Sequence, residues 1–109
     1  MLTVFDVLKI IRINHDQLDT HQVVMTQRDG KPNSVLTDLL TDVVTKTRMF
    51  VDLEQIHSSS ELITTLREVT PLPEEVLTEY EKILGQPVVT INFATRKGLV
   101  ELVYDEYAY

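Results

Sequence analysis

Two imidazoles and two carboxylates fall within seven residues at His15, Asp16, Asp19 and His21, the side-chain types that hold a divalent metal. Their spacing fits no helix-borne zinc motif, and a loop of Asn, Asp, Gln and His is ordinary solvated composition, so a polar loop is the expected reading. No metal or other cofactor is expected. His57 precedes Ser58, Ser59 and Ser60, which sets a base beside hydroxyls. Nucleophilic catalysis also needs a group that orients the imidazole and an oxyanion hole, usually from a glycine-bearing turn. No glycine lies within reach: Gly30, Gly85 and Gly98 are isolated from one another, so neither a phosphate-cradling loop nor a dinucleotide fingerprint can be built. Capping of a helix explains Ser58 more simply, and no residue is assigned a catalytic role. The chain is read as non-enzymatic.

Charged and aromatic side chains leave three binding possibilities. Glu74, Glu75, Glu79 and Glu81 form an acidic arc, opposed on the same helix by Val76, Leu77, Tyr80, Ile83 and Leu84, that suits a basic protein partner. Tyr107 and Tyr109, interleaved with acids at the C-terminus, could anchor a partner by burying large area at low entropic cost. In the opposite sense, Arg67, Arg96 and Lys97 are the cations a nucleic-acid reader would use, Arg96 and Lys97 lying at the tip of a hairpin. The expected order of two helices, a Pro-containing turn between them and then that hairpin repeats helix-turn-helix plus wing, an analogy of element order alone. The second helix carries four glutamates against Lys82, the wrong sign for a groove lined by phosphates. Nucleic acid is therefore an unfavoured partner.

The composition agrees with a small acidic domain. Among 109 residues, seventeen acids oppose ten bases, for a net charge of -7. Residues 1–54 hold eight acids and six bases (net -2), and residues 55–109 hold nine acids and four bases (net -5), so the C-terminal half carries most of the field. This length fits one domain around one core. With 43% apolar and 25% charged residues, disorder and fibrous repeats are not expected. The chain has no cysteine, which removes disulfides, thiol nucleophiles and Cys-ligated metals and is compatible with a reducing cytoplasm. Residues 2–13 are apolar, but Asp6, Lys9 and Arg12 interrupt them and no small-residue cleavage site follows, so neither a signal peptide nor a membrane span is expected. A soluble cytoplasmic protein is the resulting expectation.

The elements that must position these residues follow from periodicity and punctuation. Thr3 with Asp6 begins a helix over 4–13, with Val4, Leu8 and Ile11 on one face. Residues 21–27 are β-branched and bounded by turns, hence a strand. After the Asp29-Gly30 turn and Pro32, Asn33 or Ser34 caps a helix over 34–46. Its apolar arc is Val35, Leu36, Leu39, Leu40, Val43 and Val44, and its polar half is Thr37, Asp38, Thr41, Asp42 and Thr45. Residues 48–53 are a candidate strand. Ser58 with Glu61 caps a helix over 59–69, the Pro71 and Pro73 breaker opens a second over 72–84, and Gly85 with Pro87 ends it in a left-handed stop. Strands over 88–94 and 99–107 alternate in register around Gly98, which supplies the positive φ of the turn.

The expected fold class is α+β: an antiparallel sheet with a C-terminal β-hairpin packed against three to four helices. The expected function is that of an interaction or regulatory module acting by protein contact. A winged-helix-like nucleic-acid-binding regulator, an acidic nucleic-acid mimic and an enzyme using the His15, Asp16, Asp19 and His21 cluster are the alternatives. A homodimer is expected too, through the strand over 99–107 at a sheet edge or through an apolar arc on the 34–46 helix that a small sheet leaves uncovered.

Overall fold

The computed structural model describes residues 2–14, 18–45, 51–94 and 97–105. Thr3 opens the first helix, α1 (Val4–Ile13), with both halves of a capping box: its hydroxyl accepts the Asp6 amide, and the Asp6 carboxylate accepts the Thr3 amide. Two of the amide protons that a helix start leaves unpaired are thereby satisfied. Strand β1 (Gln22–Gln27) leads through the Gly30 turn into α2 (Ser34–Thr45), where the Asn33 side chain accepts the Leu36 amide as cap. A 3-10 turn (Leu53–Gln55) precedes α3 (Ser59–Val69), α4 (Glu74–Leu84), β2 (Val88–Ala94) and β3 (Leu99–Tyr104). Ser58 accepts the Glu61 amide at 3.1 Å, while the Glu61 carboxylate reaches back to the His57 amide at 2.9 Å. The serines beside His57 thus serve a helix start.

The fold is a small α+β domain: among the described residues, four helices stand beside a mixed three-stranded sheet whose last two strands form a hairpin-like pair. The strand order is β1-β3-β2. β2 pairs antiparallel with β3 as the alternation implies, but β1 joins β3 in parallel, with Val23 opposite Val100 and Met25 opposite Leu102. Two expectations fail here. The sheet is not purely antiparallel, and the C-terminal strand is its centre rather than its edge. The connection from β1 to β3 carries three helices, long enough to return the chain in the same direction. The edges are β1 and β2.

One face of the sheet packs on the helices through Val23, Met25, Val100, Leu102 and Tyr104, all buried. They share a core with Leu8 and Ile11 of α1, Leu36 and Leu40 of α2, Leu62 and Leu66 of α3, and Leu77 and Leu84 of α4. Burying a side chain of this size contributes about 1.5–3 kcal/mol. The apolar arc of α2 is covered within the chain: Leu36, Leu39, Leu40, Val43 and Val44 are buried and only Val35 is exposed. That surface therefore gives no reason for self-association.

Three local expectations are revised. Residues 46–50 lie outside the described residues; of the candidate strand, Val51 and Asp52 have no regular structure and Leu53 starts the 3-10 turn. Gly85 ends α4 in a right-handed conformation, φ -83 and ψ -7, because its amide still finds the Glu81 and Ile83 carbonyls and Pro87 supplies the stop. Pro73 stands at the N-cap of α4, one position before its first turn. Gly98 does have positive φ, +63.

Candidate functional site

The two sheet edges are finished in opposite ways. Along β1, every outward backbone group from Val23 to the Gln27 amide has a partner. The Thr41 hydroxyl accepts the Val23 amide at 3.0 Å and lies 3.3 Å from its carbonyl, and the Thr37 hydroxyl accepts the Met25 amide at 2.8 Å. The Asn33 amide donates to the Met25 carbonyl, and the Gln27 amide to the Lys31 carbonyl, both at 2.8 Å. The match is geometric: four residues of helix rise about 6 Å and two residues of strand about 6.6 Å, so threonines one turn apart on α2 meet alternate residues of β1. Thr37, assigned to the solvated half of α2, is buried for this reason; Asp42 of the same half is buried too.

At β2 the cover stops early. The Val88 amide donates to the Leu2 carbonyl at 3.0 Å, the Val4 amide to the Gln86 carbonyl at 2.9 Å, and Thr3 bridges Pro87. The register with β3 then shifts between Val88 and Thr90. From residue 90 to residue 94, no segment among the described residues pairs with the outer side of β2. The strand, Val-Val-Thr-Ile-Asn-Phe-Ala, has no charged side chain. Leu2 (49% exposed), Val89 (41%) and Phe93 (54%) stand along this edge, three of the large apolar side chains most open to solvent. An uncharged, partly apolar free edge is the surface that proteins ordinarily blunt with charge, proline or cover.

On the sheet face away from the helices, Glu101 of the central strand ties all three strands together. Its two carboxylate oxygens accept the Thr26 hydroxyl from β1 and the Asn92 amide group from β2, each at 2.8 Å. The carboxylate is held as a clamp, with both oxygens engaged. Alternation alone places Asn92 and Glu101 on one face of the hairpin; Thr26 joins them only through the parallel pairing of β1.

The residues singled out for binding are placed as follows. Glu74 and Arg67, assigned to opposite functions, meet each other: the Arg67 guanidinium grips the Glu74 carboxylate at two points, Nε to Oε2 at 2.9 Å and Nη2 to Oε1 at 2.7 Å. The pairing holds the Glu74 carboxyl below its ordinary range, chiefly through the hydrogen bond, and raises Arg67, to which Glu81 also contributes. Glu75 and Glu79 are exposed on α4 and Glu81 is half-buried. Lys97 is exposed beside the turn. Arg96, Tyr107 and Tyr109 lie outside the described residues, as do His15 and Asp16; Tyr104 is core. Asp19 takes a positive φ of 49, and its carboxylate lies 3.7 Å from the largely exposed His21 imidazole. Among the described residues, no three His, Cys, Asp or Glu side chains gather as a metal site would require.

A shallow open groove of about 290 Å³ runs between α2 and the turn before α4, lined by Val35, Asp38, Leu39, Asp42, Thr70, Pro71 and Leu72. It is smaller and more open than the enclosed pockets that hold drug-sized ligands. No protein-family model, curated protein or solved structure matches the chain. No helix among the described residues is long and apolar enough to cross a membrane.

Proposed function

We propose that this chain is a non-enzymatic interaction module of the cytoplasm that docks another protein segment by strand addition to the outer side of β2. The observation that carries the reading is the contrast between the edges: β1 is closed group by group, while β2 stays open over residues 90–94 and shows Val89 and Phe93 to solvent. In strand addition, backbone hydrogen bonds supply affinity and side chains at alternate positions supply selection. Exposed Glu75 and Glu79 of the acidic arc offer a basic partner a second surface, on α4. Glu74 contributes less, because Arg67 already neutralises it. The same pair weakens the nucleic-acid alternative, which loses one of its three cations.

A benzophenone amino acid introduced at Phe93, with the same group at exposed Val35 on α2 as the control, tests this reading in cells. Adducts formed from position 93 and not from position 35 support it. Equal capture from both positions, or capture from 35 alone, would remove β2 as the docking edge.

A further inference from the structure

We infer that the segment received by β2 is the same strand of a second copy of this chain, paired antiparallel about a twofold axis at Asn92. The inference rests on the reading of β2 as a docking edge. A free strand edge is its own complement when turned by a twofold, since each outward N–H then meets a C=O of the copy without a second sequence being required.

The register follows from what already occupies the edge. Leu2, bonded through its carbonyl to the Val88 amide, and Thr3, bridged to Pro87, fill the neighbouring-strand position at the start of β2. The irregularity between Val88 and Thr90 interrupts the strand there as well. The open slot is residues 90–94, and its centre is Asn92. Antiparallel pairing about that centre sets Thr90 opposite Ala94, Ile91 opposite Phe93, and Asn92 opposite Asn92 of the second copy. Ile91 and Phe93 lie opposite Leu102 and Val100, hence on the helix-covered side of the sheet. Each exposed Phe93 thereby gains an isoleucine across the strand pair, an aromatic with β-branched pairing that sheets favour.

Charge fits the same arrangement. Two chains of net charge -7 repel at long range, yet neither brings a charged side chain into the paired stretch. Salt screens the residual repulsion beyond about 8 Å at physiological ionic strength.

Because the chain has no cysteine, single-cysteine variants read the register directly. In the full chain, Asn92→Cys is expected to form a disulfide-linked dimer under mild oxidation about tenfold faster or more than Thr90→Cys, whose two sites would lie about 14 Å apart, four residues along the strands. Sedimentation equilibrium of the unmodified chain is expected to show mass rising above 12.5 kDa with concentration. Phe93→Lys, at an exposed position, should raise the dimer dissociation constant by about tenfold or more while leaving the melting curve of the dilute monomer unchanged. A single mass of 12.5 kDa at every concentration would overturn the second copy as occupant. If adducts to a different protein still formed from position 93, strand docking at β2 would survive with another partner. Cross-linking of Thr90→Cys as fast as Asn92→Cys would overturn the twofold at Asn92, and a dimer untouched by Phe93→Lys would place self-association elsewhere.

Discussion

The His21 imidazole lies where a Cβ on Gly98 would have to go, and the Gly98 carbonyl accepts the His21 amide at 2.6 Å and the Gln22 amide at 3.1 Å. This one contact joins the start of β1 to the start of β3 and so fixes the parallel register of the sheet. The His21 ring closes over the turn.

Gly98 therefore serves two requirements. Its φ of +63 strains any L side chain, and a Cβ would also approach the Asp19 carbonyl to 2.8 Å. Gly98→Ala or Gly98→Val is expected to destabilise the fold by about 1–3 kcal/mol, with valine the worse. Urea denaturation measures it; an unchanged midpoint would show that the junction is not strained.

Thr37→Val keeps the shape of the side chain and removes its oxygen, leaving the Met25 amide buried without its acceptor at 2.8 Å. The expected cost is about 1–3 kcal/mol, because the unpaired amide bears its full desolvation penalty. Exchange of the Met25 amide should accelerate in step with the lower urea midpoint. Equal stability of the two proteins would mean that α2 does not seal the β1 edge through this hydroxyl.

The hydrogen bond from Arg67 lowers the Glu74 carboxyl in the folded protein. A depressed carboxyl stabilises the fold above its unfolded pKa, and that contribution fades as pH falls through the folded value. Acid should therefore loosen the α3–α4 latch first on its Glu74 side. In an NMR titration, Arg67→Gln is expected to return the Glu74 carboxyl toward the ordinary range; no movement would mean that the two-point grip is absent in solution.

Burial, with the nearby Tyr104 phenol adding to it, raises the Tyr80 phenol. The neutral form is thus favoured in the folded state. Its stabilisation is complete below the unfolded pKa of about 10 and declines as pH rises above that value. Tyr80→Phe should flatten the loss of stability in alkaline solution, read from melting temperatures across that range. An identical alkaline profile would assign the loss to another group.

Much of the fold is legible in local sequence, because caps, helix faces and a tight hairpin are local devices. Thr3 with Asp6, Ser58 with Glu61, and the alternation around Gly98 each mark their elements within a few residues. The placement of β1 is not local. Its parallel register depends on the Gly98 carbonyl, more than seventy-five residues away in sequence, and without it the last strand reads as an edge. Hydropathy also misassigns Thr37, since a threonine that closes a strand edge has the same polarity as one facing water. Arg67 and Glu74 look like two surfaces of opposite sign until the turn at Pro71 and Pro73 brings them together. The open stretch of β2 is apparent only once both neighbours of every strand are known.

Amide hydrogen exchange across both sheet edges tests most directly whether β1 is closed and β2 is the docking edge. At low protein concentration the Val23 and Met25 amides should be protected, since Thr41 and Thr37 hold them, while the outward amides within residues 90–94 exchange freely. As the concentration rises, protection should spread to those β2 amides alone. Full protection of β2 in the dilute monomer, or fast exchange of Val23 and Met25 there, would contradict it.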